Sequence, residues 1–180
     1  MFDDVFKKMQ EEMKKAMGSN FQMNMPEGFN QQGGWNADEG VYYAKGSFED
    51  EVEYNNEIIC ITNVLLDNME EMNEAMDDKD YNRAEEIRKA WIQNTPNYIS
   101  QINELGAYNN DDMLQKAAIE YFQAFENLMK NGYQSLIAMR LAGKRGSSEE
   151  QAQLKANNAL MQKLADKFND VSDEFLEKHE

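Results

Sequence analysis

LQKAAIEYFQAFENLMKNGYQSLIAM, residues 114 to 139, is the stretch whose reading decides the fold. Its apolar residues Leu114, Ala118, Tyr121, Phe125, Leu128, Gly132, Leu136 and Met139 recur at alternating steps of three and four, the spacing of a helix that buries one stripe along its whole length. Phe122, Met129, Tyr133 and Ile137 widen that stripe. The width predicts packing on more than one side, as in the inner helix of a bundle rather than a lid on a sheet.

Three further stripes lie outward from this one. Tyr54, Ile58, Ile61, Leu65, Met69, Met72 and Met76 predict a helix from near Phe48 to near Asp77; Ala84, Ile87, Trp91, Tyr98, Ile102 and Leu105 predict a second. Leu154, Met161, Leu164, Phe168, Val171 and Phe175 predict the last. The breaks fall at Asp78-Lys79-Asp80, at Gly106 with Asn110-Asp111-Asp112, and at Gly143-Lys144-Arg145-Gly146. Pro96 removes a backbone donor inside the second stripe, which predicts either a kink or a restart with Thr95 as N-cap. Ser147 with Glu150, or Ser148 with Gln151, spells a capping box. Asn157 is the one polar slot in the last stripe, either buried to set register or rotated to the rim. The expected fold is all-α: an antiparallel four-helix up-down bundle over residues 48–180, preceded by an N-terminal amphipathic helix and an irregular arm.

That amphipathic segment is residues 1–17, with Phe2, Phe6, Met9, Met13 and Met17 on one face and lysines and glutamates elsewhere. Residues 18–47 turn to Gly, Asn and Gln, yet the arm carries Phe21, Phe29, Trp35, Tyr42 and Tyr43. Both pieces either dock on the bundle or serve a partner. The bundle stripe is complete without them, which tips the reading toward a partner, and methionine suits an adaptable contact surface.

The chain has 34 acidic against 18 basic residues, a formal net charge of -16. Such a balance repels a phosphate backbone, so nucleic acid is an unsuitable partner, whereas a basic protein surface fits. The acids concentrate on the first long helix, where Glu70, Glu71 and Glu74 sit among others and no base occurs before Lys79. They suit either a solvated face or a basic partner. No run approaches the roughly twenty apolar residues of a membrane span. Asp3, Asp4, Lys7 and Lys8 interrupt the place of a secretory signal. The expectation as written is a cytoplasmic protein, or a periplasmic or cell-surface one if an export signal precedes this sequence.

The residues of several familiar chemistries do not fall into place. Asp78, Asp80 and Asn82 open like a calcium loop, but Arg83 stands where glycine must make the sharp turn and Lys89 where the bidentate glutamate belongs. A di-iron bundle needs Glu-x-x-His on two helices, and the one histidine is His179, expected at a frayed end. The single Cys60 lies in an apolar run, which favours an inert thiol over a nucleophile. Adjacent acids such as Glu70-Glu71 and Glu85-Glu86 diverge on a helix and make no acid-base pair. The expectation is no enzyme activity, no metal and no cofactor.

The motifs Tyr54-Asn55-Asn56-Glu57-Ile58, Leu105-Gly106, Lys116-Ala117-Ala118 with Tyr121-Phe122, and Lys167-Phe168, Asp173, Phe175 and Lys178-His179 resemble a leptospiral-type surface protein family of spirochaetes and Bacteroidetes. The resemblance runs from about Tyr54 to the C-terminus. It implies a four-helical, commonly exported protein with no assigned activity and no functional residues to carry over. The functional expectation is a non-enzymatic interaction protein, with an acidic inhibitor or immunity-type protein covering a basic site as the alternative. The candidate partner-binding residues are Phe2, Phe6, Met9, Met13, Met17, Trp35, Tyr42, Tyr43, Glu70, Glu71 and Glu74.

Overall fold

A computed structural model describes residues 29–30, 34–35 and 48–180. The two short pieces form β1 (Phe29–Asn30) and β2 (Gly34–Trp35), antiparallel with Phe29 opposite Trp35. The regular structure of residues 48–180 is helical and falls into four segments. The first comprises α1 (Glu51–Thr62) and α2 (Val64–Asp77), separated by Asn63 alone. The second is α3 (Tyr81–Leu105). The third runs from α4 (Met113–Leu128) through a π-helical turn (Met129–Tyr133) into α5 (Gln134–Leu141), and the fourth is α6 (Ser148–His179).

Local chemistry accounts for the starts and stops. Asp50 accepts the Glu53 N–H at 2.8 Å, while Glu53 reaches back to the Glu49 N–H at 2.6 Å, two donors satisfied reciprocally at the head of α1. Asp80 caps α3 by accepting from the Arg83 N–H at 3.0 Å, so the Asp-rich turn is a capped corner. Ser147 caps α6 by accepting from Glu150 N–H at 3.2 Å. As at α1, the carboxylate three residues on bonds the residue before the cap, here Glu150 accepting the Gly146 N–H at 3.1 Å.

Of the two alternatives stated for Pro96 the structure excludes one, and the expectation for the central stripe is corrected in part. Thr95 caps nothing; α3 continues through Pro96, and the Thr95 hydroxyl donates to the Trp91 carbonyl at 3.0 Å, so there is no restart. The central stripe holds in full as far as Leu128 and in part beyond it: Leu136 and the widening residues Met129, Tyr133 and Ile137 are buried as expected, but Gly132 and Met139 are only half-buried and Arg140 is buried instead. A π turn accommodates one more residue than an α turn, and this rotates everything after it by one position.

Rings lock the segments together. Trp91 of α3 stacks on Phe125 at 5.9 Å, Tyr98 on Phe122 at 5.5 Å, and Tyr121 on Phe168 of α6 at 4.9 Å between centroids. At one end Tyr54 near the head of α1 meets Gly106 after α3, Tyr108 before α4 and Phe175 near the tail of α6. At the other, Arg145 after α5 reaches Met76 of α2 and Tyr81 of α3, and Arg140 of α5 meets Glu150 of α6.

Candidate interaction surfaces

Glu70, Glu71 and Glu74 are exposed on α2 beside Asp67. Their spacing puts Asp67, Glu70, Glu71 and Glu74 on one flank of the helix, since residues three and four apart are neighbours there. Glu74 has Arg83 at 3.4 Å, but Glu70 and Glu71 have no ion-pair partner among the described residues. Partial burial, then the like charges of Glu70 and Glu71, push the Asp67 carboxyl up. Burial, then the Asp67 charge, does the same to the Tyr98 phenol on α3. Apart from Arg83 at Glu74, this flank therefore has no counter-charge among the described residues.

Of the other sequence-stated contact residues, Phe2, Phe6, Met9, Met13, Met17, Tyr42 and Tyr43 lie outside the described residues, and Trp35 is described only through its backbone pairing with Phe29. Of the candidate contact residues, the described part of the structure thus places the three glutamates on one helix flank.

The sequence expectation of a frayed His179 is corrected. Asp111, in the loop before α4, takes Lys178 Nζ at 2.7 Å and His179 Nε2 at 2.9 Å, and its other oxygen accepts the Met113 N–H at 3.0 Å. The His179 ring also lies against Phe175 at 4.8 Å and Tyr108 at 5.2 Å. Lys178 first, then His179 and the Met113 N–H, outweigh burial and hold the Asp111 carboxyl down to about 2. One signal was available: Phe175 and His179 are four apart, which extends the α6 stripe by a turn.

Further inside, polar groups are tied to structure. Arg88, largely buried on α3, grips Glu85 with two bonds of 2.7 Å and donates to the Met129 carbonyl at the π turn at 3.3 Å. Tyr133 is fully buried and its hydroxyl reaches Met69 Sδ at 3.3 Å and Met161 Sδ at 3.7 Å. Asn157 is buried rather than at the rim; its Oδ1 accepts from Gln153 at 2.8 Å, and a Cβ on Gly132 would approach that oxygen to 2.3 Å. Ser172 and Asn55 pair in the core at 2.8 Å. Burial, then Glu57, pushes the half-buried Cys60 thiol up to about 11, the opposite of what a nucleophile needs. Among the described residues no three His, Cys, Asp or Glu side chains converge as metal ligands, and no helix is long and apolar enough to cross a membrane.

A groove opens between α4 and α6. Its walls are Ala117, Tyr121, Ala124, Leu164 and Phe168, and the Lys167–Glu120 pair spans its rim at 2.7 Å. The cavity volume is about 170 Å³.

No family model matches this chain, and comparison with curated proteins and with solved structures finds no similar protein.

Proposed function

We propose that this is a non-enzymatic helical-bundle interaction protein, an antiparallel four-helix up-down bundle that meets a basic protein surface through the acidic flank of α2. The observation that carries the reading is that Asp67, Glu70 and Glu71 stand exposed on one flank with no ion-pair partner among the described residues; burial first, and then the charges of Glu70 and Glu71, push the Asp67 carboxyl up. Charges kept unpaired in the free protein are available to steer and hold an oppositely charged partner. The end contacts support the up-down connectivity: the head of α1, the tail of α3, the head of α4 and the tail of α6 share one end. The amphipathic segment 1–17, with Phe2, Phe6, Met9, Met13 and Met17, supplies a second, apolar contact in this reading. Membership of the leptospiral-type surface protein family, with its envelope location, belongs to the same proposal and rests on the motifs quoted above.

An acidic inhibitor or immunity-type protein is the second reading, favoured by the same flank. Ionic strength separates a contact made through this flank, which both readings share, from one anchored by residues 1–17. Capture from the source cell with mass spectrometry identifies the partner, after which its association rate is measured at low and at physiological salt. A flank-driven contact slows about tenfold or more, and Glu70→Lys/Glu71→Lys abolishes the salt dependence; a contact made by residues 1–17 barely responds to either. A rate indifferent to both salt and charge reversal refutes the acidic-flank reading.

A further inference from the structure

We propose that Asn131-Gly132, in the π turn of the third helical segment, is a self-modification site: when the turn opens locally, the Gly132 nitrogen displaces the Asn131 side-chain amide, and the lengthened product no longer fits against α6. This does not depend on the acidic flank of α2.

Sequence and fold both select this position. Asn131 is the one asparagine in the chain followed by glycine, the neighbour that leaves the attacking nitrogen unshielded by a side chain. It is exposed to water, and its Nδ2 donates to the Asn127 carbonyl one turn back at 2.9 Å. While that bond and the helical backbone hold, Asn131 Cγ is kept away from the Gly132 nitrogen, because ring closure needs the backbone between them to leave the helical region. A π turn interrupts the α ladder, and here Arg88 holds one of its carbonyls, that of Met129, at 3.3 Å. Opening one turn is a local event that takes less free energy than global unfolding.

The chemistry needs only solvent. The Gly132 N–H gives up its proton, its nitrogen bonds to Asn131 Cγ to close a five-membered succinimide, and the side-chain amide nitrogen takes up a proton and leaves as ammonia. Water then opens the ring at either carbonyl. One opening leaves an aspartate; the other reroutes the main chain through the side chain as an isoaspartate, which lengthens the backbone by one carbon immediately before Gly132. There is no slack for that carbon: a mere Cβ on Gly132 would press into the Asn157 amide and lie 2.8 Å from Leu128 Cδ1. Aspartate keeps the backbone length, so the two products differ in stability.

The test incubates the full chain in mildly alkaline buffer, native and urea-unfolded, and maps its peptides by mass spectrometry. A one-dalton gain should appear at Asn131 in the native chain, as mixed aspartate and isoaspartate, more slowly than in the unfolded chain. Arg88→Met, which releases the Met129 carbonyl, should raise the native rate several-fold and leave the unfolded rate unchanged. Asn131→Gln should abolish the gain. Once separated, the isoaspartate form should melt below the aspartate form. A native chain left unmodified while the unfolded one is fully converted overturns the proposal. So does a native rate that rises only with global unfolding in urea, a gain that comes first at Asn109 or Asn110 in the loop before α4, or equal melting of the two products.

Discussion

The two ends of the helical fold are closed by opposite chemistries. At one, Tyr54 and Phe175, both 0% exposed, sit among Phe48, Tyr108 and His179, and the deep polar contacts are between uncharged groups, the Tyr54 hydroxyl on the Gly106 carbonyl at 2.7 Å and Ser172 on Asn55 at 2.8 Å. At the other, Arg140 lies 2.7 Å from a Glu150 that is itself 0% exposed, and Arg145 covers the Met76 carbonyl. Both ends must satisfy helix termini and exclude water. Ring burial does so through area removed from water, a term with no charge to desolvate. An ion pair does so against the cost of dehydrating both ions, so its net stabilisation is small even though breaking it is costly.

The largest effect that follows is at the aromatic end. Phe175→Ala removes a ring that touches Tyr54, Tyr108 and His179, and it should cost about 3–5 kcal/mol in denaturant unfolding, with no second substitution restoring it. At the ionic end Glu150→Ala strands Arg140 and should cost about 3 kcal/mol. The difference between the ends appears in the second step. Arg140→Met/Glu150→Leu should recover most of that loss, because two apolar side chains of similar volume need no dehydration of charge. A double variant as unstable as Glu150→Ala breaks the comparison.

Acid sharpens it further. Asp111 is held down to about 2, so its contribution is fully present above the ordinary carboxylate range and is lost as pH falls from about 4 through 2. Glu150 is also held low, with Arg140 and the Gly146 N–H outweighing its burial, and loses its contribution on the same side. Asp67 and Glu57 are shifted the other way, by burial and then by neighbouring acids, so acidification just above that range relieves them. Stability should therefore rise slightly as pH drops from 7 toward 5 and fall below about 4. Asp111→Asn should flatten the part of the fall between about pH 4 and 2, read as the thermal midpoint against pH. An unchanged acid limb in that variant removes Asp111 from the account.

How much of this was written in the sequence differs by element. The stripes around Ile58 and Met72, around Trp91, and around Phe168 are periodic patterns, and each of these residues is buried or nearly so. The stripe of the central helix shifts in part after Leu128, losing Gly132 and Met139 to half-burial and gaining Arg140, because the π turn adds a residue, and nothing in a three-and-four spacing marks where that happens. At the same turn two segments meet: Asn157 of α6 faces Gly132, where a side chain would collide with the amide. The candidate surfaces divide likewise. Exposed glutamates on α2 are legible from one helix, whereas Asp111 with His179 and Arg140 with Glu150 join different segments, so recognising them requires the topology first.

The smallest expected difference concerns the exposed cation at each end. Lys178 Nζ lies 2.7 Å from Asp111 with its side chain 56% exposed, and Asp111 keeps His179 and the Met113 N–H when the lysine is gone. An exposed pair held by a flexible stem, with a substitute in place, contributes a few tenths of a kcal/mol at most. Arg145 is more tightly placed. It donates to the Met76 carbonyl at 3.1 Å and to the Tyr81 hydroxyl at 3.2 Å, at the tail of a helix whose last turn has no basic residue of its own. The negative end of that helix also holds Glu74, Asp77 and Asp78, all exposed, so Arg145 is a cation that answers the dipole there. Arg145→Ala should therefore cost about 1 kcal/mol, from a lost hydrogen bond to a helix-terminal carbonyl together with the dipole effect, against a near-neutral Lys178→Ala. Measured by urea unfolding at low salt and again at high salt, the Arg145 effect should shrink only partly, because the hydrogen bond survives screening. Equal effects for the two variants would show that the ionic end draws nothing from Arg145 that an ordinary surface lysine does not supply.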